Sequence, residues 1–131
     1  MDMGARSEVE ADIKSTLGLV PSFFSEVPDE VLAQEWDLFK RFEFGETLIP
    51  GKYKQLIGLA VHSFTQCRYC TLFHTAAAKM NGATDEEIQE AVHFAKHTTG
   101  WSTYLNGMRQ DHDEFEAELA KVGEFVAGQG G

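Results

Sequence analysis

The sequence predicts an all-α fold, a single-domain helical bundle of about six helices. Three observations carry this prediction. Apolar residues recur at spacings of three and four along most of the chain. Helix-starting and helix-ending residues punctuate those runs. No run of alternating apolar and polar residues is bounded by turn residues, so no sheet is expected.

Taken in order, Ser7 to Leu17 reads as the first helix, ended by Gly18. Leu17 to Val27 carries Phe23 and Phe24 between two prolines. It reads as a compact apolar connection able to cap a pocket or cover a neighbouring subunit. Leu32, Trp36, Phe39 and Phe42 form the next stripe, started by Pro28. Tyr53, Leu56, Ile57, Ala60 and Phe64 form another after Pro50. A further helix runs to Met80 and stops at Asn81-Gly82. Thr84 and Glu87 make a capping box for a helix whose expected buried face is Ile88, Ala91, Val92 and Ala95. Phe115, Leu119, Val122 and Val126 mark the last helix, and residues 128–131 are expected to fray. The whole chain, 1–131, reads as one domain whose motif region spans about 50–107.

Composition narrows the partners. The 131 residues carry 21 acids against 11 Lys and Arg, a formal charge of −10. Nucleic acid and anionic membranes need a basic footprint, so neither is an expected partner. The segment Met1 to Glu10 lacks the apolar stretch of a secretory signal, and Leu56 to Cys67 is too short to span a bilayer. The expected location is therefore the cytoplasm, where a C-x-x-C pair is more often catalytic, redox-active or metal-binding than structural.

Chemistry concentrates at Cys67-Arg68-Tyr69-Cys70 followed by Thr71-Leu72-Phe73-His74, which holds both cysteines of the chain. Positions 67, 70 and 74 share a helical face, so two thiols and an imidazole meet in one patch. A pair three apart in a helical first turn can close a disulfide. Unsatisfied N–H groups of that turn favour a thiolate, and His74 can exchange a proton beside it. Inert packing is the bland alternative, since free cysteine is among the most buried residue types. Zinc is the other: Cys67, Cys70 and His74 offer three ligands, with His62 as a fourth if it folds back. Redox or nucleophilic use ranks ahead of both, and no cofactor or metal is assigned.

The stretch 50–88 resembles the carboxymuconolactone decarboxylase/alkyl hydroperoxidase D (AhpD-like) family. The likeness lies in Lys54-Gln55-Leu56-Ile57-Gly58-Leu59-Ala60-Val61, in Cys67-x-x-Cys70-x-x-x-His74, and in Ala76-Ala77-Ala78 through Asn81-Gly82-Ala83-Thr84 to Glu86-Glu87-Ile88. The cysteine pair points to the alkyl hydroperoxidase D branch. The resemblance implies an all-helical fold, a homo-oligomer (trimer or hexamer), and a peroxidase or disulfide-reductase cycle. Its partners would be a hydroperoxide or disulfide substrate and an external dithiol reductant. By the same resemblance Cys70 would attack, Cys67 would resolve the sulfenic acid to a disulfide, and His74 would relay protons.

Two positions depart from the family pattern. The relay glutamate expected twelve residues before the first cysteine is Gln55, which has no titratable proton. Tyr69 stands where some peroxidase members have histidine. His62, seven residues after Gln55, reads equally as a substitute base or as a polar residue bonded to backbone. Elsewhere, Trp101 and Tyr104 with their small polar neighbours suit a pocket lining or a subunit contact. Glu90, His93 and His97 read as a solvated flank. The alternatives to the redox reading are a decarboxylase-like lyase with His74 or His62 as base, and a zinc-binding or inert assembly module.

Overall fold

A computed structural model describes residues 3–130. Met1 and Asp2 of the N-terminal segment, and Gly131 of the expected frayed tail, lie outside the described residues. The described residues form seven α-helices and no strand. These are α1 (Met3–Leu17), α2 (Ser22–Ser25), α3 (Asp29–Leu38), α4 (Gly51–Thr65), α5 (Arg68–Met80), α6 (Asp85–Gly107) and α7 (His112–Gln129). The count exceeds the expected six because the apolar connection between prolines folds a single turn of its own, α2. A π-helical turn, Phe39–Glu43, extends α3.

The expected punctuation is present. Gly18 and Gly82 take left-handed backbone, φ +85° and +87°, where α1 and α5 stop. Thr84 Oγ1 accepts the Glu87 N–H at 3.1 Å while the Glu87 carboxylate accepts the Thr84 N–H at 3.0 Å, closing the capping box of α6. The α7 helix continues through residues 128 and 129 of the expected tail.

The larger apolar core gathers Ile13 of α1, Phe24 of α2, and Leu32 and Trp36 of α3. Arg6 ties these elements together: its guanidinium donates to the carbonyls of Phe24, Ser25 and Val27 and pairs with Glu10 and Asp29. Trp36 Nε1 donates to Asp12 Oδ2 at 2.7 Å, so the buried indole leaves no polar group unpaired. A ladder of rings then leads away from this core. Trp36 stacks on Phe39, Phe39 and Phe44 each meet Phe73 at 5.8 Å, and Phe73 meets His74 edge-on at 5.2 Å.

The second packing layer joins α4 with α5 and α6 through small residues. Leu59, Ala77, Ala78, Ala83 and Ala95 are buried there. The stripe expected to bury α4 is largely exposed: Tyr53, Ile57 and Phe64 face outward, and Gly51, Gln55 and Leu59 form the buried face instead. Periodicity locates an apolar face but not what covers it, and here the close approach of α5 needs the narrower Gly-Gln-Leu side. Of the apolar residues expected on α7, Leu119, Val122 and Val126 are exposed in the single chain and Phe115 is half-buried. No helix among the described residues is long and apolar enough to cross a membrane.

Candidate functional site

The α4 helix ends at Gln66, whose left-handed backbone (φ +58°) turns the chain so that Cys67 becomes the N-cap of α5. From that position Cys67 Sγ accepts the Cys70 N–H at 3.3 Å, and the two sulfurs lie 2.9 Å apart as free thiols. An anion on Cys67 is thus met by a helix N-terminus and by the Cys70 S–H. The hydrogen bond with the Cys70 side chain, then that from the Cys70 N–H, lowers the Cys67 pKa. The same shared proton raises the Cys70 pKa, helped by burial and by the charges of Cys67 and Glu43. The N-cap hydrogen bond from the Cys70 N–H thus favours a thiolate on Cys67.

His74, on the next turn of α5, is buried and oriented by Gln55 of α4. Its Nδ1–H donates to Gln55 Oε1 at 2.7 Å, while Gln55 Nε2 donates to the Glu43 carbonyl at 3.0 Å. An amide whose N–H₂ is committed to a carbonyl can offer His74 only its oxygen, so the imidazole is held as the Nδ1–H tautomer with a basic Nε2. Gln55 is 1% exposed, and both of its bonds are needed there. Burial first, and the charge of His62 second, lower the His74 pKa. His74 accordingly stays neutral, and able to accept a proton, at pH 7. The ring lies against Gly58 of α4 and stacks on His62, with centroids 5.5 Å apart and planes 6° from parallel.

This arrangement gives Gln55 a defined part: it fixes the tautomer without stabilising the imidazolium. Gln55→Glu should reverse the second property, because a carboxylate at hydrogen-bond distance favours the charged ring. The acid limb of the rate of thiol oxidation should then move to higher pH, read by single-turnover kinetics across the histidine range. An unmoved limb would separate His74 from the chemistry.

The sequence reading missed Glu43. It closes the π-helical turn and lines, with Gln55 and His74, a cavity of about 520 Å³. Phe42, Leu48, Ile49 and Ile57 supply apolar wall and Lys54 stands at the same cavity. That volume suits a small organic ligand. Burial raises the Glu43 pKa, opposed by the charge of His62. The available signal was its position: Leu32, Trp36, Phe39 and Glu43 share one helical face, which puts a carboxylate on an apolar stripe. π-helical turns frequently mark functional sites.

The site thus brings together Cys67, Cys70, His62, His74 and Gln55, but not every expected member. Tyr69 is 72% exposed and pairs with Arg68, whose Nη2 donates to its hydroxyl at 3.1 Å. One residue from Cys70 is a rotation of about 100° on a helix, which takes Tyr69 off the sulfur face. Trp101 and Tyr104 line a separate open trough with Lys96, His97 and Gly100, sharing no wall residue with the cavity at His74. There Trp101 Nε1 donates to His97 Nε2 at 3.2 Å. Of the zinc set, His62, Cys67 and Cys70 have ligand atoms within 4.8 Å of one another; His74 is not in that group.

A helical protein with an N-cap dithiol beside His62, which stacks on a tautomer-locked His74, defines the class. Comparison with known proteins makes it specific. The model of the carboxymuconolactone decarboxylase family matches residues 32–111, and the chain belongs to that family. The fold is similar to the crystal structure of the alkylhydroperoxidase AhpD core from Rhodospirillum rubrum, with a TM-score of 0.73, 25% identity and 88% of each chain covered. The sequence is also 36% identical over 63 residues to "Uncharacterized protein 4 in cox locus" of Paracoccus denitrificans. That match covers 48% of this chain and 57% of the relative, so little more than half of the relative's length is shared.

Proposed function

We propose that this chain is an alkyl hydroperoxidase-like thiol oxidoreductase whose Cys67–Cys70 pair cycles between dithiol and disulfide. The observation that carries the reading is the sulfur pair itself, 2.9 Å apart at a helix N-cap in a protein of this family. The Cys67 thiolate attacks the distal peroxide oxygen; an S–O bond forms, the O–O bond breaks, and the departing alkoxide takes the proton given up by Cys70. Cys70 then attacks Cys67 Sγ, the S–S bond forms, and hydroxide leaves and is protonated from the medium. Two thiols are oxidised and one peroxide is reduced to alcohol and water. His74 Nε2 carries protons between these groups. This order of attack reverses the roles that the family resemblance implies for the two sulfurs, because the N-cap hydrogen bonds lie on Cys67. The apolar cavity suits the organic part of a hydroperoxide. An external dithiol restores the reduced pair by thiol–disulfide exchange. A cytoplasmic homo-oligomer, trimer or hexamer, would cover the apolar face of α7.

The test is intact-mass spectrometry of reduced protein after brief exposure to an organic hydroperoxide, with alkylation of the remaining thiols. The expected product is a single reducible intramolecular disulfide. Two thiols still open to alkylation would remove the reading.

One observation favours a second reading. The cavity wall includes His74 and Glu43 but neither sulfur. A decarboxylase-like lyase using His74 as base on a cyclic carboxylate would need no thiol, and its turnover would survive alkylation of both cysteines.

A further inference from the structure

We propose that the reduced chain binds one zinc-type divalent ion through Cys67 Sγ, Cys70 Sγ and the imidazole of His62. The three half-buried side chains place their ligand atoms within 4.8 Å of one another. Tetrahedral zinc, with bonds of about 2.3 Å to sulfur and about 2.0 Å to nitrogen, spaces its ligand atoms about 3.5–3.8 Å apart. The sulfurs, at 2.9 Å, need to open by less than about 1 Å. Two thiolates and a neutral imidazole are ligands that favour zinc over calcium or magnesium.

Distance selects His62 rather than His74, which has no ligand atom in that group. His74 spends its Nδ1–H on Gln55 behind the ring stack. His62 Nδ1 lies 3.1 Å from Thr65 Oγ1, and the Thr65 hydroxyl donates to the His62 carbonyl at 3.4 Å. The hydroxyl proton being used there, Nδ1 is the donor and Nε2 keeps its lone pair. A ring N–H anchored on an oxygen, with the other nitrogen open, is the support that metal-bound histidines have. A fourth position is left for water.

Binding expels the thiol protons and commits both sulfurs to the ion. Disulfide formation removes the site, so metal occupancy reads the redox state of the pair. The ion and the disulfide compete for the same two sulfurs, but the metal site does not depend on peroxide reactivity.

The experiment titrates the reduced, metal-free full chain with Zn²⁺ against a chromophoric chelator, and with Co²⁺ for its spectrum. Expected are one ion per chain, sulfur-to-cobalt charge-transfer bands, and the intense visible bands of tetrahedral cobalt. His62→Ala and His62→Gln should each weaken binding by about tenfold or more, as loss of a ligand or its support does. His74→Gln should leave the affinity unchanged, and the oxidised protein should not bind. Half an ion per chain, absent charge-transfer bands, or a His62 variant matching wild type would overturn the proposal. Peroxide oxidation of the same metal-free sample is scored separately: disulfide formation without zinc binding removes the metal site alone, and the reverse removes the redox reading alone.

Discussion

Cys67→Ser is expected to reduce hydroperoxide turnover by at least about a thousandfold, as loss of a covalent nucleophile does. Cys70→Ser should be equally dead in turnover yet differ in its product. Cys67 would still attack once, and with no second thiol it would stop as a sulfenic acid. Mass spectrometry with a sulfenic-acid trap distinguishes the two: the adduct should appear on Cys67 in Cys70→Ser, and Cys70 should react far more slowly in Cys67→Ser. The reasoning is local. Cys67 accepts the Cys70 N–H from the N-cap, whereas the hydrogen bond with Cys67, burial and the charges of Cys67 and Glu43 raise the Cys70 pKa. Rapid trapping on Cys70 in Cys67→Ser would restore the opposite order and assign Cys67 the resolving step.

How much of this site was legible in the sequence depends on which elements hold it. Cys67, Cys70 and His74 belong to one local segment, so spacing alone brings them together. Even there the sequence places Cys67 within the helix, while the structure makes it the cap, because Gln66 takes a left-handed turn that few non-glycine residues adopt. Gln55 was legible as a departure from the family pattern, but not its role: locking a tautomer needs the Glu43 carbonyl, which a neighbouring element supplies. His62 shares a helix face with Gln55, yet its ring stack on His74 is tertiary. Glu43 was legible only as a carboxylate on an apolar stripe, since the cavity it lines is tertiary. The stripe Tyr53, Ile57 and Phe64 misled in the other direction, since an apolar face reads alike whether this chain or another molecule covers it. Trp101 and Tyr104 do line a concave surface, but it is not the one at the sulfurs.

Gly58→Ala is expected to displace His74 and to slow thiol oxidation more than it lowers stability. A Cβ built on Gly58 would fall 2.5 Å from His74 Cε1 and 2.6 Å from Nε2, closer than real Cβ contacts come. His74 is held on several sides: its Nδ1–H is bonded to Gln55, and Phe73 and His62 pack against its ring. Alanine in a helix interior gains about 1 kcal/mol over glycine, and overpacking costs about 1–3 kcal/mol, so the net loss of stability is modest. The chemical effect is larger if His74 is the proposed relay, because Nε2 would have to face the reacting groups, and a shift of about 1 Å can cost about a hundredfold in rate. Gly100→Ala separates the two effects. It also lies inside a long helix, but nothing stands within 4 Å of its added Cβ, so it should stabilise by up to about 1 kcal/mol and leave the reaction unchanged. Denaturant midpoints and peroxide-driven oxidation rates on both variants make the comparison. If Gly58→Ala behaves like Gly100→Ala, His74 does not need its present seat, and the proton relay lies elsewhere.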